Sequence, residues 1–74
     1  MKKAEFQKQL GKHLKKVRNK KGISLRELEL HGAIDRATIS QIENGLINPT
    51  MYTMKKICDA LEISLSDFFR EYKD

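Results

Sequence analysis

Residues 24–45 read SLRELELHGAIDRATISQIENG, and the folding of this run decides the rest of the chain. Ser24 followed by Glu27 is the pattern of a capping box, in which a hydroxyl and a carboxylate each satisfy a free backbone N–H at a helix start. Leu25 and Leu28 give the ensuing helix an inward face. Gly32 and Ala33 interrupt it after about two turns, and Asp35 suits the N-cap of a further helix that Gly45 stops. Ile34, Ile39 and Ile42 are the apolar residues of this second unit. Two short helices joined by so short a turn must cross steeply.

The second helix of the pair has an unusual outer face. A helix turns about 100° per residue, so with Ile39 as origin Ile42 lies about 60° away and the bisector points into the core. Ala37, Gln41 and Asn44 fall near the opposite direction, with Ser40 beside them, Thr38 on a flank and Arg36 in the first turn. A solvated helix face normally carries Lys and Glu. This one offers an amide, hydroxyls, a methyl and a guanidinium, the groups that match base edges: Gln to adenine, Arg to guanine, an Ala or Thr methyl to thymine. A side chain as small as Ala37 lets the helix axis sink toward a groove floor. The same residues also suit an ordinary polar surface, so this face alone leaves both readings open.

Outward from this centre the chain reads as three more helices. Phe6, Leu10, Leu14 and Val17 form a one-faced stripe across roughly residues 4–20, closed by Lys20, Lys21 and Gly22. Leu46 to Pro49 form a loop, and Thr50 caps a helix whose Met54, Ile57, Cys58 and Leu61 share one side. Ser64 with Asp67 repeats the capping box and starts a last helix through Leu65, Phe68, Phe69 and Tyr72. Met51 and Met54 are expected in the core. No repeat, linker or low-complexity segment interrupts this all-α pattern.

Composition narrows the function classes. Seventy-four residues make one small domain, stabilised by efficient packing or by assembly with a second copy. Nothing approaches the roughly 18 apolar residues that a membrane span needs, and Glu5, Gln7, Lys8 and Gln9 break any leader-like apolar segment, so a cytoplasmic protein without membrane contact is expected. Cys58 is alone, which excludes an intrachain disulfide, and His13 and His31 are well separated, so neither metal nor cofactor is expected. Phosphate-binding glycine loops, HExxH and serine-elbow motifs are absent, against an enzyme. Residues 1–21 hold nine Lys/Arg and one acid, whereas residues 22–74 hold six and nine. A basic arm on a weakly acidic body suits a polyanionic partner, although a lysine-rich helix also serves solubility.

Taken together, these motifs resemble the phage-repressor and Cro-like (XRE-type) helix-turn-helix DNA-binding family. The resemblance is carried by VRNKKGIS around Arg18, SLREL, IDRATISQIENG, NPT at the fourth helix and DALEISLSDFF, over about residues 10–69. It implies a compact five-helix lambda-repressor-like domain over residues 1–74, with the helix-turn-helix at about 24–44. It further implies a homodimeric transcriptional regulator, in the repressor role, that reads a palindromic operator in double-stranded DNA and blocks or recruits polymerase. Arg36, Ala37 and Gln41 would read bases, with Thr38 and Ser40 on bases or nearby phosphates. Ser24 and Leu25 would present amides to a phosphate, and Asn44, Gly45 and Asn48 would grip the backbone on the other side, setting register.

The resemblance also suggests a pair between Arg18 and Glu43, and the inward flank of Glu43 on its helix agrees with it. One of the adjacent Phe68 and Phe69 must point away from the core, and with Leu65 and Tyr72 it makes a self-association patch; family members commonly dimerise through this last helix, which would set two recognition helices one DNA turn apart. Three positions depart from the family pattern. Glu29 stands where a small Ala is usual, Ala33 stands where the turn usually has Gly, and Leu30 is apolar at an outer position, as added core or as a partner contact. The other readings of the fold are an antitoxin-type module that grips a toxin and a restriction-modification controller. An antitoxin would more usually carry an added segment, for which Lys73 and Asp74 leave little room.

Overall fold

Residues 1–72 are described by a computed structural model of the chain. Five helices follow in order: α1 (Lys3–Lys20), α2 (Leu25–Gly32), α3 (Arg36–Glu43), α4 (Met51–Ala60) and α5 (Leu65–Arg70). No strand occurs among the described residues; Lys73 and Asp74 lie outside them.

Local chemistry sets most helix ends. Ser24 Oγ accepts from Glu27 N while Glu27 Oε1 accepts from Ser24 N, both at 3.1 Å, a complete capping box. Thr50 Oγ1 caps α4 through Thr53 N, and Ser64 Oγ caps α5 through Asp67 N. The expected box at α5 is half-formed, because the Asp67 carboxylate turns to Arg70 at 2.8 Å. At the C-termini, α1 and α3 close with paired backbone bonds around Gly22 (φ 69°) and Gly45 (φ 72°), conformations that glycine adopts without a Cβ penalty. Helix α4 closes in the same way on Glu62 at φ 57°.

The core is a single cluster fed by every helix. Leu10, Leu14 and Val17 of α1 meet Leu28 of α2, Ile39 and Ile42 of α3, Met54, Ile57 and Cys58 of α4, and Phe68 of α5, with Ile34 and Leu61 from the connections. Burying each such side chain contributes roughly 1.5–3 kcal/mol. Helix α1 lies across α3, and α2 is packed between α3 and α4.

Two core expectations are corrected. Met51 is 64% exposed, because it occupies the first position of α4, a turn before the side that Met54 buries. Leu30 is 70% exposed and so is not an added core residue: the inward face of α2 is already filled by Leu28.

Candidate nucleic-acid interface

The amphipathic division of α3 is complete. Ile39 and Ile42 are fully buried, whereas Arg36, Ala37, Gln41 and Asn44 are exposed, and Thr38 and Ser40 are half-buried at the edges. The outer face therefore consists of short polar groups on a helix whose back is fixed in the core. Asn44 folds onto this face, its Nδ2 donating to Ser40 O at 2.9 Å and Oγ at 3.3 Å.

The C-terminal end of α3 is held from behind. Arg18 Nε donates to Glu43 Oε2 at 2.6 Å and Nη2 to Glu43 Oε1 at 3.0 Å, with side-chain exposures of 10% and 5%. Arg18 Nη1 also donates to Ile23 O at 2.8 Å, so one guanidinium joins α1, the α1–α2 turn and α3. A carboxylate in the last turn of a helix faces the negative end of the macrodipole, and the bidentate cation offsets that repulsion. Two glycines bring the backbones together. A Cβ on Gly11 would press on Ile42 O and lie 2.6 Å from Glu43 O, and one on Gly45 would lie 2.9 Å from Lys8 Cα. The role of Gly11 escapes a reading of apolar periodicity; a glycine inside a helical pattern is its signal.

At the N-terminal end, Asp35 occupies the N-cap position but its side chain makes no cap hydrogen bond. The acceptor is Glu29, whose Oε2 takes the Arg36 N–H at 2.9 Å and whose Oε1 lies 3.8 Å from Arg36 Nε. The unusual acid of α2 thus caps α3 and tethers its first residue. The turn between them is sharp: Ala33 takes the left-handed conformation (φ 54°), and its carbonyl accepts from Lys56 Nζ at 3.2 Å. Gly32, the last residue of α2, sits 3.5 Å (as a built Cβ) from Ala60 Cβ.

The expected phosphate contacts are distributed unequally. The Ser24 amide is already taken by the Glu27 carboxylate, so that amide is not open to a phosphate, and Leu25 carries the first N–H of α2 without such a partner. The hydrogen bonds from Ser24 also hold the Glu27 carboxyl below its ordinary value. Gly45 O accepts from Gln7 Nε2 at 3.3 Å, and Asn48 is exposed in the loop that follows.

The proposed dimer patch loses one member. Phe68 is fully buried and offers no surface to a second copy: the turn of α5 directs it into the core and leaves Phe69 at the edge. Leu65, Phe69 and Tyr72 are half-buried. Tyr72 stacks edge-on against Phe6 and His13 and donates to Gln9 Oε1 at 3.0 Å, which docks this end of the chain on α1. His13 Nε2 lies 2.7 Å from Phe68 O, a structural contact. Burial, and secondarily Asp59, pushes the Cys58 thiol up to about 11, which makes it inert at neutral pH.

Similarity to known proteins agrees with this geometry. SlrR, an HTH-type transcriptional regulator of Bacillus subtilis (strain 168), is 30% identical over 61 residues, covering 81% of this chain and 40% of that protein. This chain thus spans about two fifths of that relative. A helix-turn-helix family transcriptional regulator from Vibrio cholerae superposes with a TM-score of 0.86 at 35% identity, over 93% of this chain and 39% of that one. The restriction-modification controller protein C.Esp1396I, solved as a tetramer with its natural 35 base-pair operator, gives 0.81 at 31% identity, over 86% of this chain and 84% of that one. The first two are transcriptional regulators and the third is a controller protein. Residues 14–68 match the helix-turn-helix family, and the chain belongs to that family.

Proposed function

We propose that this chain is a transcriptional regulator that binds double-stranded DNA by sequence, laying the outer face of α3 in the major groove. The observation that carries the reading is that face itself: Arg36, Ala37 and Gln41, with the C-cap residue Asn44, are exposed on a helix whose opposite side is fully buried. Arg36 and Gln41 are the bidentate readers, for guanine and adenine, and Ala37 permits close approach or meets a thymine methyl. Thr38 and Ser40 reach bases or adjacent phosphates. Leu25 at the start of α2, and Asn44, Gly45 and Asn48 after α3, supply backbone contacts that set register.

The chain acts as a homodimer in the cytoplasm, joined through Leu65 and Phe69 on α5 and Tyr72 just beyond it, and represses a palindromic operator. Half-sites one helical turn apart would place the two copies of α3 in successive major grooves. No helix among the described residues is long and apolar enough to cross a membrane. A second reading, the controller of a restriction-modification system, is favoured by the similarity to C.Esp1396I over most of both chains.

Selection of bound sequences from a random duplex pool tests the proposal. Recovery of an inverted repeat with half-sites about 10 base pairs apart supports it. Unchanged affinity of an Arg36→Ala, Gln41→Ala double variant for the selected site at physiological salt would refute the recognition role of α3.

A further inference from the structure

Beyond Lys3 in its first turn, the lysines along α1 and at its C-cap, Lys21, fall into two sets. Lys8, Lys12 and Lys15, spaced by four and three, lie within about 60° of one another around the helix. With Glu43 and Asn44 they line an open cleft where α1 meets the C-terminal end of α3. All three are exposed, and none has an ion-pair partner among the described residues. Elsewhere, Lys55 is neutralised by Asp59 at 2.7 Å. Lys16, Lys20 and Lys21 border clefts on another side of α1 that contain Glu71; Lys12 stands on the boundary and borders both sides.

The cleft is suited to anions despite holding an acid. Both oxygens of Glu43 accept from Arg18, so its charge is compensated inside the protein. The one acid of α1 itself, Glu5, lies in the first turn. Asn44 belongs to two surfaces at once: it ends the outer face of α3 and lines the cleft. A polyanion resting on α3 therefore reaches the lysines without crossing a gap.

We propose that Lys8, Lys12 and Lys15 form a phosphate-binding cleft that extends the interface from α3 onto the flank of α1, its ligand being the sugar-phosphate backbone of the same duplex. This rests on the reading of α3 as the DNA-facing helix. From Lys8 to Lys15 is about 10 Å of helix, and one strand of B-DNA carries a charge per roughly 3.4 Å of axis, so the cleft matches up to about three phosphates. Ammonium groups on flexible stems suit contacts that need charge rather than a fixed fork. The stems start from a fixed place, because Gly45 packs directly on Lys8. The cleft adds affinity and register; base choice stays with α3.

The test compares two variants of equal net charge, K8Q/K12Q/K15Q and K16Q/K20Q/K21Q. Fluorescence anisotropy measures both on a labelled duplex that the unmodified chain selects from a random pool, across a salt series, with melting by circular dichroism as the folding control. The first variant should flatten the slope of log Kd against log salt by about 2–3, at about 0.9 per lost phosphate contact. The second should flatten it by less than about 1. The ratio of affinities for selected and scrambled duplexes should change by less than about threefold in both. Equal flattening by the two variants, or no flattening by the first, overturns the cleft. If the unmodified chain prefers no duplex sequence, the reading of α3 fails before any lysine is replaced, and the cleft fails with it.

Discussion

At one end of α3, Glu43 is clamped by two hydrogen bonds from a buried Arg18, and Gly11 and Gly45 bring α1 into backbone contact. At the other end, the Arg36 N–H rests on Glu29, and the two side chains are 56% and 36% exposed. The first attachment excludes water, so losing one partner strands a charge in a poorly solvated place. The second is solvated, and its ion pair is worth little beyond the cap hydrogen bond. The helix is thus aimed from its far end. Arg36, at the first turn of α3, is left on the compliant end, where its side chain can move while the axis stays fixed.

The largest test of this difference is Arg18→Ala. It should cost about 3 kcal/mol by leaving Glu43 unpaired, a fall in Tm of roughly 12–24 °C for a domain of this size. Lys16→Ala, on the same helix but outside the pair, should change stability by less than about 0.5 kcal/mol. Equal melting temperatures for the two variants would show that the pair holds nothing. Gly11→Ala should follow, at about 2 kcal/mol, because overpacking against the Ile42 and Glu43 carbonyls outweighs the better helix propensity of alanine. A variant as stable as the parent would mean that α1 can slide off α3 freely.

The solvated end should yield smaller effects. Glu29→Ala removes the acceptor for the Arg36 N–H and should cost about 1 kcal/mol, whereas Asp35→Ala should cost clearly less because its side chain caps nothing. Thermal melts that rank the two the other way would return the cap to Asp35. Smallest is the acid response of the capping box at Ser24. The Glu27 carboxyl is held below its ordinary value by its hydrogen bonds with Ser24. Its contribution is therefore present above that ordinary value and is lost as pH falls through the lower folded value. An NMR titration should find Glu27 ionising at a lower pH in the parent than in Ser24→Ala; coincident curves would remove the effect.

Much of this arrangement could be read along the chain because capping and periodicity are local. Ser24 with Glu27, Thr50, Ser64, Gly22 and Gly45 each act on backbone groups within a turn of themselves, and the isoleucines of α3 mark its inner side at a spacing that only one face can satisfy. The outer face of Arg36, Ala37, Gln41 and Asn44 follows from the same geometry. The places where local rules misled are those where two residues compete for one position and packing chooses between them. Either Asp35 or Glu29 could cap α3, and the seven-residue reach of Glu29 exists only once α2 has turned back at Ala33. Either Phe68 or Phe69 could enter the core, and the docking of α5 on α4 and α1 chose Phe68.

By itself, then, the order of residues determined five helices, most of their ends, and the polar outer face of α3, since each depends on groups a few residues apart. Only the tertiary structure decided what fastens that face and which side chains lie beside it. The backbone contact at Gly11, the compensated charge of Glu43 and the division of the α1 lysines all depend on how α1 lies across α3. Clearance and electrostatic compensation belong to pairs of surfaces, and those pairs exist only after the helices have packed.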